Sequence, residues 1–182
     1  NMDNIGRFIP FSDNGQSVGW AGGRISQLYA GTNVINTSDG KEKTEKRAFS
    51  APELAAAKRI GGSIGVYQWL ASVAEKGEAV ARLHVGVIAQ EVWAIMADEG
   101  LIDPLSPETT PDSKYAFLCW DEWDAIAPVD AVEEVRDEED NVVVHAQAAQ
   151  PGRDAGDRFG VRTDQLALFL IAAQEARLAA LE

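Results

Sequence analysis

Cysteine and histidine are scarce in this chain of 182 residues, which contains one cysteine, Cys119, and two histidines. An internal disulfide is therefore excluded, and the paired cysteines and histidines of a structural zinc site do not occur. We interpret Cys119, between Leu118 and Trp120, as a small buried apolar residue. With two histidines, the chain offers few candidates for a hydrolytic triad that needs a histidine. Neither a metal nor another cofactor is expected.

Positive charge is also in short supply, because 16 lysines and arginines face 29 aspartates and glutamates and the formal net charge is -13. Proteins bind nucleic acid through basic surfaces that displace counterions from phosphates, so DNA and RNA are not expected as partners. No run approaches the roughly 18 apolar residues of a membrane-spanning helix, and the start does not have the layout of a signal peptide. We expect no membrane association, and we expect further sequence before Asn1.

Residues 1–37 differ in character from the rest of the chain. Glycines such as Gly15, Gly19 and Gly31 interrupt short apolar runs, among them Arg7–Phe11 and Val34–Ile35. This pattern predicts short strands joined by tight turns. Such fragments bury little apolar surface by themselves, so we expect this β-rich segment to pack against neighbouring chains.

The middle of the chain predicts a small mixed core of helices and strands. Ser50, followed by Pro52 and Glu53, is typical of a capped helix start, and Gly61-Gly62 predicts its end after Ile60. The other predicted elements are strands at Val66–Leu70, Leu83–Ile88 and Tyr115–Trp120, a helical or looped Ser72–Gly77, and a helix at Gln90–Glu99 that ends at Gly100.

An acidic segment follows between Asp121 and Asp140, with ten carboxylates against the single Arg136. The turn-forming run Asp137–Asn141 precedes three valines, which predicts a protruding hairpin with a solvated acidic tip. The ligand and glycine spacing of an EF-hand loop is absent, so the acidic run is not interpreted as a metal site.

The last segment, Asp164–Glu182, predicts a long C-terminal helix. Four apolar residues share one stripe of this helix: Leu168, Ile171, Leu178 and Leu181. A parallel three-helix bundle would bury the stripe, and packing back onto its own domain would also do so. The predicted fold class is therefore α+β, a small mixed domain with a hairpin and a C-terminal helix.

Ser38 and Lys43 stand five residues apart in the polar segment Asn36–Arg47. Such a pair can cleave an amide if the lysine is neutral and close enough to take the serine proton. An ordinary lysine side chain has a pKa of about 10.4, so the base must be desolvated or placed beside cations such as Lys41 or Arg47. Burial at a subunit interface would supply that desolvation. The spacing alone favours ordinary surface residues.

Several short segments follow one another in a distinctive order. They are Asp13–Gly19, Gly23–Arg24, Leu28–Gly31, Ile35–Asp39, Tyr67–Trp69, Ala74–Gly77, Arg82–Val92, Cys119–Trp123, Gly156–Arg162 and Glu175–Glu182. In this order they resemble the C-terminal intramolecular chaperone auto-processing domains of phage tailspikes and tail fibres, known from endosialidase tailspikes. The resemblance covers essentially the whole chain, and its most specific parts are Arg82–Val92 and the Ser38-Asp39 junction.

The resemblance implies that residues 1–37 end a stalk and that residues 38–182 form a chaperone that assembles as a homotrimer. Such a domain folds the preceding stalk of the same polypeptide and then releases itself as a single-turnover serine peptidase acting in cis. The implied nucleophile is Ser38, and the implied base is Lys43. His84 either supports cleavage or trimer contacts or is a structural core histidine. The stalk would remain in the virion tail, and the chaperone would be released in the host cytoplasm.

The implied cleavage site comprises Thr37, Ser38 and Asp39. Attack within one chain favours the Thr37-Ser38 bond, because Ser38 Oγ reaches the preceding carbonyl through a five-membered ring. A nucleophile from a neighbouring subunit would make the bond after Ser38 equally accessible, so the expectation is a cut adjoining Ser38. Glu42 stands before Lys43, where relatives usually carry an apolar residue, and a carboxylate there would favour the protonated lysine.

Two other functions are compatible with the sequence. One is a trimerisation module of the same fold that does not cut. The other is a receptor- or glycan-binding fibre tip, in which exposed tryptophans would stack on sugars. The candidates are Trp20, Trp69, Trp93, Trp120 and Trp123, and most of them lie in apolar runs that favour core positions.

Overall fold

A computed structural model describes residues 12–13, 15–31 and 35–181. The predicted apolar run Arg7–Phe11 and Val34 lie outside the described residues. The contacts divide the chain into two units. The first unit contains the described residues up to Ile35 together with Asp121–Arg158, and the second contains Asn36–Trp120 together with the chain from Phe159 onward.

The described residues form an α+β fold with four α-helices, one 3-10 turn and three two-stranded sheets. The helices are α1 (Ala51–Ser63), α2 (Leu70–Lys76), α3 (Ala89–Asp98) and α4 (Thr163–Ala179), and the 3-10 turn is Gly40–Glu42. The strands are β1 (Gly65–Tyr67), β2 (His84–Gly86), β3 (Leu118–Trp123), β4 (Val135–Arg136), β5 (Val142–Val144) and β6 (Gly156–Val161). The pairs are β1 with β2, β3 with β6, and β4 with β5.

The hydrophobic core lies in the second unit, where α1, α3 and α4 pack together. Its buried members are Ala56, Ala57, Ile60, Val92, Trp93, Met96, Phe117, Leu118, Leu166, Phe169 and Ala173. By contrast, no described residue of the first unit is buried. Because burial of apolar surface is the main driving force of folding, the second unit has its own source of stability. The first unit has much less.

A buried carboxylate closes the N-terminal end of α1. Glu53 is only 3% exposed, yet Arg47 donates to both of its oxygens at 2.7 Å. The backbone and hydroxyl of Ser50 donate to Glu53 Oε2 at 2.7 and 2.9 Å, and the hydroxyl of Tyr115 donates to Oε1 at 2.9 Å. The hydrogen bonds from Arg47 are the main reason that the pKa of Glu53 lies well below its usual range, although burial alone would raise it.

Of the two helix ends that glycines predict, one is wrong and one is confirmed. The predicted end of the first helix at Gly61-Gly62 is wrong, because α1 continues to Ser63. Neither of these glycines adopts the positive φ that stops a helix, whereas Gly77 (φ 80°) and Gly100 (φ 69°) do so after α2 and α3. The predicted end at Gly100 is confirmed.

The first two predicted strands are present but shorter, and they pair with each other. The antiparallel register runs from Gly65 opposite Gly86 to Tyr67 opposite His84. The chain then turns, and Leu70, predicted as the last residue of the strand, instead begins α2. Hydrogen bonds from Gln68 Nε2 to two backbone carbonyls hold this corner in place.

The third predicted strand begins three residues later than expected, at Leu118. A turn occupies the preceding residues, in which the Leu118 amide donates to the Tyr115 carbonyl at 2.9 Å. This turn points the Tyr115 hydroxyl at Glu53. The long-range hydrogen bond, which a local strand pattern does not reveal, explains the difference. Cys119 is half-buried, whereas the sequence predicts a buried residue.

We call residues 121–158 the arm. The predicted hairpin is present here, since β4 and β5 pair antiparallel around a turn in which Asp137 Oδ1 accepts bonds from the amides of Glu139 and Asn141. Reciprocal backbone bridges recur at every third residue of the arm. They join Ile126 to Arg153, Val129 to Gln150, and Val132 to Gln147. The arm is therefore held by separate bridges along much of its length.

Helix α4 uses two of its faces differently. Leu166, Phe169 and Ala173 are buried against the core. The predicted stripe remains open, with Leu168 67% exposed, Ile171 53% and Leu178 57%. The helix thus packs back onto its own unit and still leaves an apolar stripe that is largely uncovered by the described residues. Within the described residues, no helix is both long and apolar enough to cross a membrane.

Replacing Glu53 by glutamine should destabilise the fold, because the charge is lost and an amide donor would face other donors. We expect the free energy of unfolding to fall by about 2–3 kcal/mol, measured by urea denaturation at pH 7 and fixed protein concentration. The matched control is Asp98→Asn, which breaks the exposed ion pair with Arg59 and should cost less than about 1 kcal/mol. Equal losses would contradict a special role for Glu53.

The free energy of unfolding should depend differently on pH in the wild type and in Glu53→Gln. The folded-state pKa of Glu53 lies below the unfolded value of about 4.3. Its stabilisation is therefore complete above the unfolded value and is lost as the pH falls toward the folded one. The difference in unfolding free energy between wild type and Glu53→Gln should stay constant from pH 7 to about pH 5 and shrink as the pH falls further toward pH 3. A difference that stays constant over the whole range would refute the assignment.

Candidate functional site

A tight turn brings the two predicted dyad residues together. Lys43 Nζ lies 2.6 Å from Ser38 Oγ and donates a hydrogen bond to it. Between them, Asp39 Oδ1 accepts from the Lys41 amide at 2.9 Å and caps the 3-10 turn. The Lys43 amide closes the turn on the Gly40 carbonyl at 3.4 Å. Aspartate is favoured at such a cap because its short side chain reaches the free amides.

The loop that carries this turn is tied down on both sides. On the upstream side, Asn36 Nδ2 donates to Asp164 Oδ2 in the first turn of α4 at 3.5 Å. On the downstream side, Arg47 holds Glu53 at the start of α1. The Ser38–Lys43 turn therefore projects from a fixed place on the second unit.

The turn is open to solvent in the single chain. Thr37, Ser38, Asp39 and Lys43 are all exposed. Arg47, which was expected as a possible cationic neighbour of the base, is instead paired with Glu53. Among residues 35–181 no ion pair joins Lys43 to a carboxylate, and its hydrogen-bond partner is Ser38. A surface from another molecule would have to supply desolvation.

The arrangement has the geometry of a nucleophile and its base. A general base must lie within roughly 2.6–3.2 Å of the group from which it takes a proton, and this pair satisfies that requirement. The scissile candidates Thr37-Ser38 and Ser38-Asp39 adjoin the nucleophile in the chain. No group of three or more metal-ligating side chains occurs among the described residues.

His84 lies in a different environment. It belongs to β2, opposite Tyr67 in the register, and stacks on that ring at a centroid distance of 5.7 Å. Trp69 meets it edge-on at 6.1 Å. Within the described residues, no hydrogen bond or ring contact links His84 to Ser38 or Lys43. The structure therefore brings together the dyad but not the third predicted site residue.

The tryptophans are mostly engaged with the chain itself. Trp93 is buried in the core and Trp69 packs on His84. Trp20 and Trp123 meet edge-to-face at a centroid distance of 5.9 Å. Sequence reasoning missed this pairing, because Trp20 belongs to the Gly-rich start and no local pattern links it to the arm. It also missed Glu53 as an anchor of the loop, although the Ser50–Glu53 capping signal was visible.

Comparisons with known proteins agree with this architecture. Residues 38–101 match the model of peptidase family S74, described as the chaperone of endosialidase. The side tail fiber protein pb1 of Escherichia phage T5 is 34% identical over 181 residues, which cover 100% of this chain and 12% of the phage protein. The chain thus spans about an eighth of the length of that relative.

Solved structures that are similar to this chain include the following two. One is the carboxy-terminal domain of the bacteriophage T5 L-shaped tail fiber with its intramolecular chaperone domain, at 34% identity and a TM-score of 0.72, covering 100% of this chain and 39% of the other. The second is a crystal structure described as a novel intramolecular chaperone, at 30% identity and a TM-score of 0.53, covering 79% of this chain and 99% of the other. The predicted resemblance is confirmed: the chain belongs to the endosialidase-type family of intramolecular chaperones from phage tail fibres and tail spikes.

Proposed function

We propose that this chain trimerises, assists the folding of the stalk that precedes it, and then cuts itself free beside Ser38. The observation that carries the proposal is the 2.6 Å hydrogen bond between Lys43 Nζ and Ser38 Oγ. In this proposal residues 1–37 end the stalk and stay in the virion tail, as the phage fibre relative suggests. Residues 38–182 leave as the released chaperone in the host cytoplasm.

The chemical steps follow from the placement of the two side chains. Neutral Lys43 takes the proton from Ser38 Oγ, which attacks the Thr37 carbonyl carbon through a five-membered ring. The Thr37-Ser38 amide bond breaks, Lys43 returns the proton to the leaving Ser38 nitrogen, and an ester links Thr37 to Ser38 Oγ. Water then hydrolyses the ester, leaving a carboxylate on Thr37 and a free amine on Ser38.

Assembly provides the missing condition for this chemistry. An exposed ammonium is a poor base, and removal of water favours the neutral amine. A neighbouring copy that covers the Ser38–Lys43 turn would remove that water. Cleavage would then wait until the chains have assembled, and a stalk still unfolded would not be released too early.

The exposed stripe of α4 is the assembly surface that we propose. Leu168, Ile171 and Leu178 recur at the spacing of a coiled-coil seam, and each is more than half exposed. Three parallel copies of α4 would bury all three residues. In this proposal His84 supports the site indirectly, by holding the β1–β2 sheet through its contacts with Tyr67 and Trp69.

Freshly expressed protein should yield a fragment of about 145 residues that begins at or just after Ser38, detected by intact mass and N-terminal sequencing. Ser38→Ala should abolish the fragment while the trimer persists. Lys43→Arg keeps the charge of the turn but supplies no base, so cleavage should slow by at least about 100-fold. Fragment formation by Ser38→Ala would remove Ser38 from the mechanism. If the wild type forms trimers but never cleaves itself, the non-cleaving trimerisation module would be favoured.

The cap of the turn should influence the cleavage rate. Asp39→Ala removes the acceptor for the Lys41 amide, and loss of such a cap costs about 0.5–2 kcal/mol. If the capped turn is the reactive one, cleavage should slow by roughly two- to thirty-fold. Asp39→Asn keeps an acceptor oxygen and should cleave nearly as fast as the wild type. Equal rates in all three proteins would show that the turn does not limit the reaction.

The assembly surface can be tested with one charge. Ile171→Glu places a carboxylate in the middle of the stripe, so sedimentation analysis should show loss of the trimer and gel analysis should show much slower cleavage. The control Gln165→Glu introduces the same charge roughly 120° away around α4 and should leave both properties intact. A stable trimer of Ile171→Glu would move the interface elsewhere.

A further inference from the structure

Four side chains of the first unit form a contact that we call the clasp: Trp20, Trp123, Arg153 and Arg158. The Arg153 guanidinium lies over the Trp20 ring, 5.0 Å from its centroid. The Trp20 ring meets the Trp123 ring edge-to-face at 5.9 Å, and the Arg158 guanidinium lies over Trp123 at 5.1 Å. Cations over aromatic faces attract the ring quadrupole, so the four groups form a continuous chain of contacts in which two perpendicular rings lie between two guanidinium groups.

The upstream side of the clasp is shaped around its tryptophan. Trp20 and Gly23 form a reciprocal backbone bridge, with N–O distances of 3.2 and 3.0 Å. The Trp20 ring folds back over this turn, and a Cβ at Gly22 or Gly23 would lie 2.6 or 2.4 Å from ring atoms. Only glycine leaves room for the ring there. Gly19, with φ 79°, starts the turn.

On the arm side of the clasp, the backbone and an arginine likewise fix the position of the Trp123 ring. Trp123 Nε1 donates to the Asp154 carbonyl at 3.0 Å, which fixes the indole ring. A Cβ at Gly156 would lie 2.9 Å from this ring, so the arm backbone approaches it closely. Arg158 Nη1 also donates to the backbone carbonyl of Ala21. One arginine therefore holds both the ring of the arm and the backbone of the upstream turn.

The clasp joins residues from opposite sides of the proposed cut. Trp20 and Ala21 precede Ser38, whereas Trp123, Arg153 and Arg158 follow it. Breaking the peptide bond beside Ser38 changes none of these contacts. The contacts themselves also group the described residues up to Ile35 with Asp121–Arg158.

We propose that the clasp is an interaction surface that holds the Trp20 turn of the upstream fragment after the cut, so that release of the chaperone is a step separate from cleavage. This inference rests on the proposed function, because the clasp retains the upstream fragment only after the proposed cut. The partner is an indole presented by a glycine turn of the same polypeptide. The rate of release is then set by how fast the four contacts of the clasp open.

The test measures fragment separation in the cleaved full chain. The upstream fragment is immobilised through an N-terminal tag, and loss of the downstream fragment is followed over time. In the wild type the fragments should remain together at first. Arg153→Gln should cleave at the wild-type rate but separate about five- to thirty-fold faster, as expected for loss of one partly buried cation over a ring.

The matched control is Arg136→Gln, on the same arm. Arg136 bonds to Glu134 and Asp140 and, among the residues that the structure describes, contacts no aromatic ring, so its loss should leave separation unchanged. Trp20→Ala tests the contact from the other side and should accelerate separation, while Trp20→Phe should restore part of the retention. Immediate separation of wild-type fragments, or equal rates in wild type and Arg153→Gln, would overturn the proposal.

A second version of the experiment does not depend on self-cleavage. A recognition sequence for a site-specific protease is inserted after residue 38 in the Ser38→Ala protein, where the chain is exposed, and that protease makes the cut. Retention sensitive to Arg153→Gln would support the clasp even if the chain never cuts itself. Rapid separation here would overturn the clasp whatever the fate of the Ser-Lys mechanism.

Discussion

The confinement of buried apolar side chains to the second unit is the constraint on which the rest depends. Helices α1, α3 and α4 share one core, and no described residue of the first unit is buried. The described upstream segment and the arm are therefore held by backbone bridges and surface ring contacts. The apolar burial that drives folding is thus confined to the second unit, and the described upstream segment depends on contacts with the arm for its order.

The turn that carries Ser38 and Lys43 is likewise exposed to solvent in a single chain. Ser38 and Lys43 meet through local geometry, because Asp39 caps a turn of a few residues. Local geometry brings two groups together but does not exclude water. Fixing the loop through Glu53 and Asp164 places the pair where a second molecule can cover it. In the proposed trimer, chemistry and assembly thereby become one event.

What the sequence predicts well is local. The capped start of α1, the glycine stop after α3 and the hairpin at Asp137–Asn141 depend on neighbours within a few residues. The errors arise where distant groups decide. Tyr115 leaves its predicted strand to reach Glu53, 62 residues away, and α1 passes through Gly61-Gly62 because neither glycine turns left-handed. The pairing of Trp20 with Trp123 needs the folded arm, and no periodicity encodes it.

The bridges of the arm have a consequence for its motion. At Ile126, Val129 and Val132 both backbone groups are bonded across the arm, whereas no such bond is found for the residues between them. An ordinary antiparallel ladder repeats its bonded pairs every second residue, so this arm has fewer links per length. Without a buried core beneath it, each link opens almost independently. Amide hydrogens along the arm would exchange with solvent in a repeating pattern, with slow exchange at every third position and fast exchange at the positions between.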